Sequence, residues 1–121
     1  GLFAAYLPMS GTFWRPVPAD CPSPPVSLTH LHGDADKVVP LTGRVIGPAR
    51  QGDVAEVLRL YGETGSFGET EPFLLDDLHC YRRTNGRGNR LEFCLFRGGH
   101  NFRPAFIARA WQRFRDAGII P

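Results

Sequence analysis

Alternating hydrophobic and polar positions mark the clearest strand of this chain. Residues 26–32 read Val-Ser-Leu-Thr-His-Leu-His, and Gly33 follows them. Because successive side chains of a strand point to opposite faces, His30 and His32 share one face. A shorter run over residues 3–8, Phe-Ala-Ala-Tyr-Leu-Pro, is typical of a strand that is buried on both faces. The pattern therefore predicts two strands in the first third of the chain.

Two later segments have the spacing of amphipathic helices. The first begins at Asp53, with Glu56 three residues on as in a capping box, and its apolar residues recur at i, i+3, i+4 and i+7 until Gly62. The second begins near Pro104, a residue that the first turn of a helix tolerates, and ends at Gly118. Each predicts one helix with an apolar face turned to a core.

Between these helices the sequence predicts a loop and a hairpin. Residues 62–72 are rich in glycine and polar residues, which favours a mobile loop. Residues 78–84 and 91–96 flank an Asn-Gly-Arg-Gly-Asn-Arg turn, which indicates a hairpin over 78–97. The whole order predicts an α/β fold with a mostly parallel sheet flanked by helices.

Composition and charge exclude several classes of protein. The chain has 121 residues and a mass of 13.4 kDa, which suits one modest domain. Fourteen basic and twelve acidic side chains leave a net charge of +2, too even a balance to indicate nucleic-acid binding. No apolar run approaches the roughly 20 residues that a membrane-spanning helix needs. We therefore expect neither nucleic acid nor membrane as a partner.

Reactive side chains concentrate in two loops that follow predicted strands. The first runs from His32 to Pro40 and reads His-Gly-Asp-Ala-Asp-Lys-Val-Val-Pro, and the second reads Arg-Gly-Gly-His-Asn-Phe over 97–102. In open parallel sheets, functional groups gather at the carboxyl ends of the strands. A carboxylate beside a histidine fixes the imidazole tautomer and stabilises the imidazolium that forms when the ring takes a proton.

The two loops together resemble those of the α/β-hydrolase serine esterases, most closely the polyhydroxybutyrate depolymerase and feruloyl esterase type. The acid loop of that family reads His-Gly-x-x-Asp-x-x-Val-Pro, which residues 32–40 match without a gap, and its Gly-Gly-His is met at residues 98–100. The resemblance implies that Asp36 and His100 are two members of a Ser-Asp-His triad. It also implies a small-molecule or polymeric ester as substrate and no cofactor. The oligomeric state is not indicated.

The third member of the triad is not found in the sequence. The family places its nucleophile on a Gly-x-Ser-x-Gly turn before the acid and the histidine. None of the four serines of the chain has glycine at both positions; they are Ser10, Ser23, Ser27 and Ser66. We therefore expect residues 1–121 to be the C-terminal part of a single α/β-hydrolase domain, with the nucleophile before Gly1 and no activity of its own. Residues 41–77 match the family only loosely, as an insertion or loop region.

Two other functions are compatible with the same residues. His30-x-His32-x-Asp34 resembles the zinc-binding run of metallo-β-lactamase-like hydrolases, since imidazole and carboxylate are suitable zinc ligands. The chain could also be a non-catalytic interaction module built on a decayed hydrolase half.

Two of the three cysteines are placed for a disulfide. Cys80 and Cys94 fall at near-opposite positions of the predicted hairpin, and closing a 15-residue loop contributes roughly 3 kcal/mol in the chain-entropy model. The alternative is a pair of buried free thiols. A disulfide would indicate an oxidising compartment, and hence a secreted or periplasmic protein whose signal peptide lies before Gly1. A partner for Cys21 would have to lie outside this sequence.

Overall fold

The computed structural model describes residues 2–121. These residues contain seven strands and two helices. They are, in chain order, β1 (Ala5–Tyr6), β2 (Ser27–Gly33), β3 (Val45–Ile46), β4 (Ala49–Arg50), α1 (Val54–Thr64), β5 (Glu71–Leu75), β6 (Leu78–Thr84), β7 (Arg90–Phe96) and α2 (Pro104–Asp116). Five strands form one sheet in the order β1-β2-β7-β6-β5, while β3 and β4 pair separately.

The main sheet is mixed, so the expectation of a mostly parallel sheet flanked by helices, as in part of an α/β-hydrolase, is wrong. Strand β2 pairs in parallel with β1 and β7, but β6 pairs antiparallel with both β7 and β5. Helices account for only 20% of the chain. The predicted hairpin corresponds to β6 and β7, and β5 extends it to three antiparallel strands. These three strands change the class of the sheet.

Strand β5 escaped prediction because its connection to β6 lacks the usual turn residues. Leu75 pairs with Leu78, so Asp76 and Asp77 alone make the turn. Asp76 has a φ of 54°, a left-handed conformation that aspartate tolerates better than most residues because its short side chain can bond to nearby backbone. A sequence pattern that looks for Asn-Gly or Asp-Gly does not recognise this turn.

The hydrophobic core lies between the sheet and α2. Phe106 and Ile107 of α2 pack against the buried side chains of the sheet. The ring centroids of Phe106 and Phe96 are 5.4 Å apart. The buried members of this cluster come from four strands: Leu31, Leu75, Leu78, Cys80, Cys94 and Phe96. Burial of such side chains is the main favourable term in folding.

Cys80 and Cys94 form a disulfide, as the sequence predicted. They face each other directly in the antiparallel pairing of β6 with β7, and both are buried. Cys21 is a free and exposed thiol.

Helix α1 begins as predicted but continues past its expected end. The Asp53 side chain accepts a hydrogen bond from the Glu56 N–H at 3.1 Å, so it caps the helix. Gly62 lies inside the helix, where a Cβ atom would collide with the Arg83 guanidinium. The glycine thus leaves space for the Arg83 side chain and does not end the helix, which runs to Thr64.

Strand β1 is shorter and less buried than the apolar run over residues 3–8 suggested. Only Ala5 and Tyr6 are in the strand, and the side chains of Phe3 and Tyr6 are exposed. Ala5 is only partly buried and Tyr6 is exposed, so the prediction of a strand buried on both faces is wrong. Neither helix of residues 2–121 combines the length and the apolar character needed to cross a membrane.

Candidate active site

The two loops identified in the sequence lie side by side because β2 and β7 are parallel neighbours. Gly33 at the end of β2 is in register with Phe96 at the end of β7. The Asp34 N–H donates to the Phe96 carbonyl at 2.9 Å, and the Ala35 N–H donates to the Gly98 carbonyl at 2.8 Å. Backbone pairing therefore continues from the strands into both loops and holds them together.

Gly33 and Asp34 join the loops more closely still. A Cβ atom on Gly33 would collide with the carbonyl oxygens of Gly98 and Gly99, so this backbone approach is available only to glycine. Asp34 Oδ1 accepts a hydrogen bond from the Gly98 N–H at 3.0 Å. Asp34 therefore fixes the backbone just before His100.

Asp36 is held by its own loop as a buried carboxylate. Its side chain is fully buried, and Oδ1 accepts hydrogen bonds from the N–H groups of Val38 at 2.9 Å and Val39 at 2.8 Å. Burial by itself would raise the pKa of Asp36, but the Val39 N–H, the His100 ring and the Val38 N–H outweigh it. The pKa consequently lies below its ordinary value. Asp36 is thus an anion at neutral pH.

His100 completes a hydrogen-bonded pair with Asp36. Its Nδ1 lies 2.9 Å from Asp36 Oδ2. Since the carboxylate can only accept, Nδ1 carries the hydrogen and Nε2 of the neutral ring is left as a proton acceptor. The His100 side chain is 39% exposed, so this ring can meet a reacting group from solvent. The catalytic roles of the two residues stay a prediction.

Two further histidines, His30 and His32, are buried next to the Asp36 turn. His30 and His32 stack with their ring centroids 5.2 Å apart, and His30 Nε2 lies 3.0 Å from His32 Nδ1. His32 Nε2 lies 2.7 Å from the Val39 carbonyl oxygen and 3.5 Å from Asp36 Oδ2. His32 is the first residue of the acid-loop motif, but the sequence did not indicate that His30 would bond to it or that its ring would reach the Val39 carbonyl.

The zinc site proposed from His30, His32 and Asp34 is not assembled. The facing nitrogens of the two rings bond to each other, and Asp34 bonds to the Gly98 backbone. Within residues 2–121, no three His, Cys, Asp or Glu side chains form a group that could hold a metal ion.

In the described part of the chain, no serine hydroxyl is hydrogen-bonded to His100. Ser27 Oγ accepts from the Arg90 N–H at the opposite end of β2. Ser10 lies near the carboxyl end of β1 with a φ of 57°, and its buried Oγ has no hydrogen-bond partner. Residues 2–121 therefore bring Asp36 and His100 together, and none of the described serines is bonded to that histidine.

The loosely matched region of residues 41–77 also supports the acid loop. Arg44 Nε donates to the Val38 carbonyl at 2.7 Å, and Gln51 Nε2 donates to the same oxygen at 3.0 Å. Gln51 is buried. Neither residue belongs to a recognisable motif, so the sequence offered no signal for this role.

A large cavity is separate from the Asp36–His100 pair. It has a volume of about 740 Å³ and lies between β1, β2 and α1, with Leu28, His30 and Val57 among its mainly apolar lining. Neither Asp36 nor His100 lines it. The hydrogen-bond geometry of the pair, and not the cavity, therefore defines the candidate site.

Comparison with known proteins does not assign this chain to a family. The sequence matches no protein-family model, and a search of curated proteins finds none that it matches.

Proposed function

We propose that this chain supplies the acid and the histidine of a serine-type carboxylic ester hydrolase. The observation that carries the proposal is the 2.9 Å contact between His100 Nδ1 and Asp36 Oδ2, made by a buried carboxylate and a solvent-accessible ring. The loop sequences that resemble those of polyhydroxybutyrate depolymerases and feruloyl esterases support the same reaction class.

In the proposed reaction, His100 acts first as a base and then as an acid. Its Nε2 takes the proton of a serine hydroxyl as that oxygen forms a bond to the ester carbonyl carbon. The imidazolium, stabilised by Asp36, returns the proton to the alcohol oxygen as the ester C–O bond breaks. Water then attacks the acyl-enzyme by the same two proton transfers, which releases the acid and regenerates the serine.

The serine and the oxyanion donors are proposed to come from outside residues 2–121, since none of the described serines bonds to His100. A small or polymeric ester of a short-acyl, hydroxyalkanoate or feruloyl type is the proposed substrate. The Cys80–Cys94 disulfide is compatible with an oxidising compartment, and we propose secretion or export to the periplasm.

The test uses the protein expressed from its complete gene, with p-nitrophenyl esters as substrates and a fluorophosphonate as a label for an activated serine. We expect the wild type to hydrolyse the ester and to be labelled on one serine. Asp36→Asn is expected to lower kcat by about 10⁴-fold, because the histidine then adopts the wrong tautomer. His100→Ala is expected to abolish labelling.

Two matched variants control for simple loss of a histidine or a carboxylate. His79 and Asp77 are exposed, and neither side chain is hydrogen-bonded to a residue of the two loops, so His79→Ala and Asp77→Asn are expected to keep full activity. Residues 1–121 alone are expected to show no turnover. Full activity in His100→Ala, or turnover by the isolated chain that His100→Ala removes, would contradict the proposal in its present form.

A further inference from the structure

The hydrogen-bond partners of His30 and His32 determine which ring nitrogen of each histidine carries the hydrogen. The Val39 carbonyl oxygen can only accept, so His32 Nε2 carries a hydrogen and donates to it across 2.7 Å. In a neutral His32 ring, Nδ1 is then an acceptor. His30 Nε2, 3.0 Å away, must donate to it. Both rings therefore hold their hydrogen on Nε2, and the bonds run in one direction from His30 through His32 to Val39.

The same carbonyl group belongs to the turn that holds Asp36. Val39 donates its N–H to Asp36 Oδ1, while its carbonyl is fixed by His32 from behind. His32 is fully buried and His30 nearly so. Burial, together with the charge that His32 would carry, lowers the pKa of His30 to about 4, so His30 is uncharged at neutral pH.

We infer that His32, oriented by His30, is a positioning residue that fixes the Asp36 turn and so aims the carboxylate at Nδ1 of His100. Neither histidine reaches a reacting atom. Each acts through Val39, whose N–H is bonded to Asp36 and whose carbonyl oxygen is bonded to His32. The catalytic consequence of this inference rests on the proposed ester hydrolase function, but the positions of the hydrogens do not.

The first test reads those hydrogens directly in the wild-type chain. Two-bond ¹H–¹⁵N correlation spectra at neutral pH distinguish the imidazole tautomers. We expect Nε2–H for His30 and His32, and Nδ1–H for His100. A wild-type His32 that carries its only hydrogen on Nδ1 would overturn the inference without the need for any variant.

The second test removes the bond to Val39. His32→Phe keeps a ring of similar size but cannot donate, and we expect the Nδ1–H tautomer of His100 to lose its predominance. His32→Gln restores a donor at a similar reach and is expected to recover it in part. His79→Phe, at an exposed position of β6, is the matched control and should leave the His100 tautomer unchanged. An unchanged His100 spectrum in a folded His32→Phe would contradict the inference.

The third test measures ester hydrolysis by the protein from the complete gene. For His32→Phe we expect kcat to fall 10- to 100-fold with KM unchanged, because the base is misaligned while substrate contacts remain, and His32→Gln should recover part of it. If the wild type is active and His32→Phe has the same kcat, the positioning role is refuted while the proposed function stands. Absence of wild-type activity beside the expected tautomers would refute the proposed function and leave the positioning of His100 supported.

Discussion

His100 Nδ1 lies 2.9 Å from Asp36 Oδ2, although 64 residues separate the two in the chain. Asp36 receives two backbone N–H bonds on Oδ1 and the imidazole bond on Oδ2, and each of these favours the charged carboxylate. The pair is therefore a source of folding free energy as well as a candidate for catalysis.

The first prediction concerns stability in acid. Because the pKa of Asp36 is lower in the folded protein than in the unfolded chain, its contribution is fully present above the unfolded value of about 3.9 and is lost as pH falls through the folded value. Asp36→Asn should thus be less stable than the wild type at pH 6, and the difference should shrink below about pH 4. Urea unfolding from pH 3 to 7 measures it, with Asp77→Asn as the control. A difference that stays constant with pH would show that Asp36 is not held as an anion.

The sequence predicted the proximity of the two loops better than it predicted the fold. The two loops could be found because Asp36 and His100 stand in motifs, and the parallel pairing of β2 with β7 brings such loops together. The class of the sheet depended on β5, which is reached through a turn made by two aspartates. No local pattern distinguishes that turn from an irregular loop.

The second prediction concerns the buried imidazole of His30. Its pKa is about 4 in the folded protein, against about 6.5 in the unfolded chain. The unfolded chain therefore binds the proton first as pH falls, and the contribution of His30 lowers the free energy of unfolding by about 3 kcal/mol from pH 6.5 to pH 4. His30→Gln, which does not titrate, should lose this part of the pH dependence. His79→Gln should retain it, and equal slopes for wild type and His30→Gln would exclude the effect.

The ion pair between β7 and α2 could not be predicted from the sequence. Glu92 alternates with apolar residues in β7, as a solvent-facing residue would, yet it is completely buried because α2 covers that face. Arg113 of α2 donates to both carboxylate oxygens of Glu92, at 2.6 and 2.9 Å. The Thr29 hydroxyl also donates to Glu92, at 3.0 Å. Which face of a strand a helix will cover is decided by tertiary packing, so period-two alternation could not identify it.

The third prediction follows from that pair. Glu92→Ala leaves Arg113, whose side chain is only 14% exposed, without its partner. Removal of one member of a buried pair typically costs about 3–5 kcal/mol, and we expect a loss of that size in the free energy of unfolding. Glu63→Ala breaks an exposed pair with Arg59 on α1 and should cost about 0.5 kcal/mol or less. Similar losses in the two variants would argue against a structural role for Glu92.

The fourth prediction concerns the Cys80–Cys94 disulfide. It joins directly paired residues of β6 and β7 and closes the loop between them, so it restricts the unfolded chain. In the chain-entropy model a loop of this length contributes roughly 3 kcal/mol, and Cys80→Ala/Cys94→Ala should lose about that amount. Mass spectrometry should show one disulfide in the purified chain and a gain of two hydrogens on reduction.

Cys21 provides the control that separates the disulfide from a general effect of thiols. It is exposed and unpaired within residues 2–121, so Cys21→Ser should leave both the stability and the reducible bond unchanged. Reductant should destabilise the wild type and Cys21→Ser equally, and should have no effect on the double alanine variant. If reductant destabilised the double variant as well, the loss would not come from opening this bond.

Because both sulfurs are buried in the core beside α2, we expect their reduction to weaken the packing around Leu78 and Phe96 as well as to free the loop.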